Sequence, residues 1–292
     1  MDVSNDSKDL GSNGWPSPSE FEGLAVGERV VEYTSRDAIL YALAVGAQAS
    51  QLELIDEARL EVLPTFAFPL TQWALDLLAE RGAWDSNNAL HGAQALAVMR
   101  PLPPQGRIPM RAHVEAVYDK GTAAVYEIVV ESDYFVATWT IFAPGRGGFG
   151  GERGPSAPGQ NALMPDWEGT WEVPPTQAVL YRLCGDWHRI HIDPEVARAA
   201  GMDAPILHGL ATLASTVLRV ADSLNVSPTN VRALSARFAS PVYPGDVLTV
   251  RRWGSAEFAV QSPQGPAVSI GNVHFDPTAG GGFRDTWDRE DE

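Results

Sequence analysis

Four residues able to move protons or hold a metal fall within eight positions of one another: Asp186, His188, His191 and Asp193, in the run Tyr181-Arg-Leu-Cys-Gly-Asp-Trp-His-Arg-Ile-His-Ile-Asp-Pro194. A carboxylate and an imidazole that converge can share one water and deprotonate it as a general acid/base pair. Asp186 and His191 are the candidates. Asp193 reads otherwise: followed by Pro194, and with Gly201 closing the segment, it has the signature of a helix N-cap. The plainer account of the pair itself is that Asp186 caps a turn after Gly185 and His191 packs on a sheet, and spacing alone favours it. His188 and His191 at i, i+3 could face one ion, but no third ligand follows at a recognisable spacing.

A second stretch, Ala204-Pro-Ile-Leu-His-Gly-Leu210, opens a long apolar-periodic segment. Free N–H groups at a helix start are donors at the positive end of a dipole. Gly209, lacking a Cβ, lets an oxygen approach the backbone; a simple tight entry into the helix explains it equally well.

The elements that position these residues are legible in outline. Leu210, Leu213, Val217, Val220 and Leu224 give helical spacing over 207–224. Strand-like runs follow at 231–238, 247–253, 256–261 and 267–275, matched earlier by 89–98, 108–117, 123–131 and 135–142. Ala38-Ile-Leu-Tyr-Ala-Leu43 recurs as Ala178-Val-Leu-Tyr-Arg-Leu183, and Arg100-Pro-Leu-Pro-Pro104 resembles Ser240-Pro-Val-Tyr-Pro244; both pairs are displaced by 140 positions. The reading is an internal duplication of α+β halves, each a curved antiparallel sheet packed around a helix. Residues 21–143 form the first half and 166–277 the second, with a Gly/Pro-rich linker over 144–165, a disordered arm over 1–20 and a flexible acidic tail over 278–292. By the same displacement Asp186 and His191 correspond to Gly46 and Gln51, which cannot do this chemistry, so one half is expected to be active and the other structural.

Composition narrows the partners. A net charge of −16 argues against nucleic acid and an anionic membrane surface. The single cysteine, Cys184, excludes an internal disulfide and suits a reducing compartment, most simply cytoplasm. The first twenty residues lack the basic start and apolar run of a signal peptide, and no apolar stretch is long enough to span a bilayer.

Tyr-Arg-Leu-x-Gly-Asp-x-x-x-x-His-x-Asp-Pro followed by Ala-Gly-Met-x-x-Pro-Ile-Leu-His-Gly-Leu resembles the hydratase 2 motif of MaoC-like, R-specific enoyl-CoA hydratases, proteins of two tandem hot-dog folds. The likeness extends through Tyr33–Ala47, Leu63-Pro-Thr65, Leu90-His-Gly92, Asp119-Lys-Gly121, Gly147–Gly151 and Ala236–Gly245. It implies that Asp186 and His191 activate a water, that the Gly209 N–H supports the thioester oxygen, and that a trans-2-enoyl-CoA becomes a (3R)-3-hydroxyacyl-CoA with no metal or redox cofactor. It places His91, Gly92, Phe238 and Lys120 near the acyl-CoA. His188 and Arg189 stand where the family usually has Asn-Pro; they are carried as substrate contacts, with Arg189 and Arg237 as further cations for the CoA phosphates. That departure is similar to a dehydratase branch acting on short or branched acyl thioesters, so a steroid side-chain or branched dicarboxyl substrate and a non-catalytic acyl-CoA binding subunit stand as alternatives. A homodimer is expected by the same resemblance.

Overall fold

The computed structural model describes residues 14–86, 88–156, 159 and 163–276. Ten strands form one antiparallel sheet. In the first half they are β1 (Ala25–Tyr33), β2 (Leu90–Val98), β3 (Gly106–Asp119), β4 (Ala123–Glu131) and β5 (Phe135–Pro144). The second half has β6 (Trp167–Glu172), β7 (Val231–Phe238), β8 (Val247–Trp253), β9 (Glu257–Ser262) and β10 (Gly265–Phe275). The spatial order β1-β3-β4-β5-β2-β7-β10-β9-β8-β6 reads the same from either edge once β1–β5 are matched with β6–β10. The duplication seen in short sequence matches is therefore a duplication of topology. The two copies join where β2 runs antiparallel to β7, with Gln94 opposite Ala236 and Ala95 opposite Ser235.

Strict alternation explains why one face of the sheet is buried. Every second residue of β5, from Phe135 through Ala143, is buried, and β4 alternates likewise after Ala123. The edge strands differ: β1 buries only Val26 and Tyr33, and β6 only Trp171. Against the second half's face lies α7 (Gly209–Leu224), which buries every residue from Leu210 to Leu218 and stops at Asn225 in the left-handed conformation. Burial on nearly all sides requires small residues where neighbours approach, and Ala211, Ala214 and Ser215 supply them. In the first half the same place in the element order is taken by two short helices, α3 (Ala67–Thr71) and α4 (Trp73–Glu80), and α3 packs on β5 as α7 packs on β10. Pro69 inside α3 withholds a helical N–H.

The halves also meet through their matching helices, α1 (Ser35–Ala44) and α5 (Gln177–Arg182), with the repeat-related rings of Tyr41 and Tyr181 5.9 Å apart. Buried hydrogen bonds cross the junction from Gln177 Nε2 to the Ala44 carbonyl (3.1 Å) and from Ser215 Oγ to the Val45 carbonyl (2.7 Å).

Within the arm expected to be disordered over 1–20, the described residues 14–20 are ordered. Pro18–Phe21 forms a 3-10 turn, capped by a reciprocal Ser17/Glu20 box, and Phe21 is buried. Arg146 reaches the Pro16 and Gly82 carbonyls (2.6 and 3.1 Å) and lies over the Trp15 ring. Composition did not reveal this because one buried aromatic and one distant arginine anchor the segment. Residues 1–13 and the tail expected over 278–292 lie outside the described residues. The Gly-rich connection folds back rather than hanging free: the Asp119 carboxylate accepts from the N–H groups of Gly121, Gly148 and Gly150 (2.8–2.9 Å), which holds its pKa below the usual carboxylate range. No helix among the described residues is long and apolar enough to cross a membrane.

Candidate active site

After α5 the chain turns at Gly185, whose φ of +132° favours glycine. The loop lies against the first half: the nearest atom to a Cβ placed on Gly185 is the Pro69 carbonyl oxygen of α3. Asp186 Oδ1 accepts from the His188 N–H at 3.1 Å, so Asp186 does cap the turn. That role uses one oxygen and leaves the carboxylate free to face the imidazoles. Asp186, His191 and His208 each offer an atom within 4.8 Å of the others'.

Hydrogen bonding fixes the protons. His191 Nδ1 sits 2.9 Å from the Ile206 carbonyl, so Nδ1 carries the hydrogen and Nε2 keeps a lone pair. Burial holds His191 below the ordinary imidazole range, partly offset by the nearby Asp186 carboxylate. His191 is thus a neutral ring with a free acceptor. His208, immediately before α7, is 1% exposed. Its ring stacks on that of His191, with centroids 3.5 Å apart and planes 23° apart. Its Nε2 donates to the Asp186 backbone carbonyl at 3.4 Å. Burial, then the neighbouring His191, push it well below the ordinary range.

Three ligand-type residues in one place invite a metal, and the geometry argues against that fit. Lone pairs lie in the ring planes, and two stacked rings with centroids 3.5 Å apart and planes tilted by only 23° aim theirs nearly parallel rather than at one point about 2.1 Å from each nitrogen.

The start of α7 stands beside this cluster. No side chain caps it, so its first amides are open donors. A Cβ on Gly209 would lie 3.2–3.5 Å from three atoms of the Phe238 ring, a contact tight enough that either the ring or the helix start would have to shift. Phe238 in turn lies 4.8 Å from His91, whose ring stacks on Trp139 at 4.7 Å. His91 comes from β2 of the first half, where the register shifts between His91 and Ala93 and leaves Gly92 at the irregularity. Burial lowers His91 to a pKa of about 4, with Asp186 among the groups that oppose the shift. The site therefore draws on both copies.

Asp186, His191, Gly209, Phe238, His91 and Gly92 are brought to one region. His188 acts at its border: its Nδ1 accepts from Ile190 N–H (3.4 Å) while Nε2 donates to the Ser86 carbonyl (2.9 Å) of the first half. A histidine in place of Asn-Pro thus staples the loop across the junction. Arg189 is paired with Asp193, which caps α6 (Pro194–Ala199) through the Glu195 and Val196 N–H groups. Lys120 is bonded to the carbonyls of Arg153 and Pro155, holding the folded-back connection rather than reaching the cluster. Arg237 is exposed on β7. A concavity of about 540 Å³ on the outer face of β8–β10, lined by Trp253, Phe258 and Ile270, contains none of the cluster.

Sequence reasoning passed over His208 and Arg182. Arg182 lies 4.5 Å over the Trp187 ring and depresses both imidazoles electrostatically. The signal for His208 was in the duplication: displaced by 140 positions it is Phe68, an apolar ring, and Gly209 is Pro69, which has no N–H to give. With Gly46 and Gln51 in place of Asp186 and His191, the first half has no counterpart of the carboxylate, the two imidazoles or the Gly209 amide.

The architecture is that of the double hot-dog proteins. A Mycobacterium tuberculosis protein described as having a double hot-dog fold superposes with TM-score 0.61 over 89% of this chain and 98% of its own at 11% identity. A MaoC-like dehydratase from Phytophthora capsici does so with TM-score 0.78 over 89% of this chain and 97% of its own at 23% identity. In sequence, the family described as MaoC like domain matches residues 156–271, and that described as MFE-2 hydratase 2 N-terminal domain matches 31–142. The enoyl-CoA hydratase ChsH3 of M. tuberculosis is 36% identical over 84% of this chain and 93% of its own. The peroxisomal enoyl-CoA hydratase 2 of Arabidopsis thaliana is 32% identical over 81% and 88%. The chain belongs to the MaoC-like hydratase 2 family.

Proposed function

We propose that this protein is a hydro-lyase that adds water reversibly across trans-2-enoyl-CoA to give (3R)-3-hydroxyacyl-CoA. The observation that carries the reading is the convergence of the Asp186 carboxylate and the unprotonated Nε2 of His191 beside the open amides of α7. A water held between the two gives one proton to the pair as its oxygen bonds C3. Negative charge moves onto the thioester oxygen, where the Gly209 N–H receives it; one such donor contributes on the order of 3 kcal/mol. The proton returns to C2, so water is consumed and no electron is exchanged. His191 suits the task because burial keeps it neutral at pH 7 while Asp186 stabilises the cation it becomes.

Phe238, with His91 and Trp139 stacked behind it, forms an apolar wall against which we place the acyl chain next to the thioester. Support for a thioester substrate comes from the relatives named as enoyl-CoA hydratases. A homodimer in a reducing compartment completes the proposal; the single cysteine supports the compartment, and the exposed sheet edges β1 and β6 offer association surfaces. Incubation with crotonyl-CoA tests the activity: the enoyl thioester absorbance falls with wild-type protein and persists with Asp186→Asn, and chiral analysis of the product reads the 3R configuration. Persistence of the absorbance with wild-type protein across acyl lengths refutes it.

A further inference from the structure

Three groups of the site come from two separate segments, the loop 185–191 and the start of α7, and something must hold these in register. His208 touches both. Its ring covers the His191 ring face to face at 3.5 Å, its Nε2 bonds the Asp186 backbone, and its own backbone is the residue before Gly209. It is 1% exposed, and its Nδ1 has no hydrogen-bond partner among the described residues. A buried acceptor left unpaired carries a desolvation cost that an apolar ring of similar shape avoids, and the silent half uses such a ring, Phe68, at the corresponding position. The cost is retained only in the half that has the acid and the base.

We infer that His208 is a positioning residue for the hydration: it clamps His191 so that Nδ1 meets the Ile206 carbonyl and Nε2 faces the water, and it ties Asp186 to the helix that carries the Gly209 amide. The clamp has two parts, a flat plate and an N–H tether. Without the plate, the His191 ring is free to rotate away from Ile206, and its proton is no longer confined to Nδ1. The inference rests on the hydratase reading for its kinetic consequence, and on geometry alone for the state of His191.

The test uses full-length His208→Ala and His208→Phe, with folding checked by circular dichroism. Misplacement of a reacting group by about 1 Å costs roughly 100-fold in rate; accordingly H208A is expected to lower kcat on crotonyl-CoA about 100-fold while KM stays within about 3-fold. H208F, which restores the plate with the ring the sister half tolerates, is expected to recover kcat to within about 10-fold of wild type. Nitrogen-15 NMR of the His191 ring is the second readout: one tautomer, protonated at Nδ1, in wild type and H208F, and averaged nitrogens in H208A. Should H208A not fold, His208→Gln, which keeps a donor and loses the ring, replaces it. Kcat of the ring-less variant within 3-fold of wild type overturns the inference, as does a lowered kcat with an unchanged His191 tautomer. If wild-type protein hydrates no enoyl-CoA, the hydratase reading fails by itself, and the NMR arm still decides the role of His208.

Discussion

Gly209→Ala adds one methyl group aimed at the Phe238 ring, and the structure sets the size of the effect. The new carbon would stand 3.2, 3.3 and 3.5 Å from three ring atoms, against an optimal carbon–carbon separation of about 3.5–4.0 Å. Relief therefore requires a movement of roughly 0.3–0.5 Å. The ring gives little, because Phe238 is fixed on β7 and His91 and Trp139 are stacked behind it; the start of α7 takes a share. That movement is close to the tolerance of about 0.5 Å for a catalytic constellation. Complete loss of such a donor costs about 10²–10³ in rate; for a partial displacement we expect about 10-fold in kcat/KM, equivalent to about 1.4 kcal/mol. Stability changes less, since alanine favours the helix by about 0.5–1 kcal/mol against an overpacking cost of about 1–3 kcal/mol. Initial rates on crotonyl-CoA measure the loss. In a Phe238→Ala background, where the methyl has room, adding G209A should cost at most about 2-fold. G209A at the wild-type rate, or a 10-fold loss that persists beside F238A, refutes the packing argument.

Other consequences follow from the same contacts. His91, lowered by burial from the ordinary histidine value to about 4, binds its proton less readily in the folded chain. Its contribution is present in full above about pH 6.5 and is lost as pH falls toward 4, up to roughly 3 kcal/mol; urea midpoints at pH 7.5 and 5 should differ, less so in His91→Phe. With His191 as the proposed neutral base and its pKa lowered by burial, the acid limb of kcat/KM should lie below about pH 6.5; a limb above that value contradicts the assignment. His188→Ala removes the bond to the Ser86 carbonyl and should cost about 1 kcal/mol of stability and lower kcat, read by thermal melts and initial rates. Arg146→Ala removes the bonds to the Pro16 and Gly82 carbonyls and the contact with the Trp15 ring, so limited proteolysis should cut before Phe21 sooner than in wild type.

Much of this arrangement was legible from residue order. β4 and β5 alternate almost strictly, and these strands and β7 were read within a few positions; the duplication followed from two matches in one register. The edge strands β1 and β6 escaped notice, because a strand solvated on one side and along one edge buries few residues and carries charges such as Glu28, Arg29 and Glu168. The first half's central helix was not resolved as two pieces. Asp186 and His191 stood out by type and spacing, yet a turn cap and a proton-transfer pair share one signature at Asp186, whose Oδ1 makes the cap while the proton transfer is the role we propose for the carboxylate. Lys120 and Arg189 looked like free cations for CoA; their partners, the Arg153 and Pro155 carbonyls and Asp193, are set by turns that charge counting does not reveal. His208 was overlooked because stacking between residues 17 positions apart leaves no local pattern.

The most direct test of the acid/base pair is kcat for Asp186→Asn on crotonyl-CoA, with wild-type folding confirmed. Loss of an acid/base group predicts a fall of about 10²–10⁴-fold. A variant within a few-fold of wild type would contradict the role given to that carboxylate, and with it the assignment of the site.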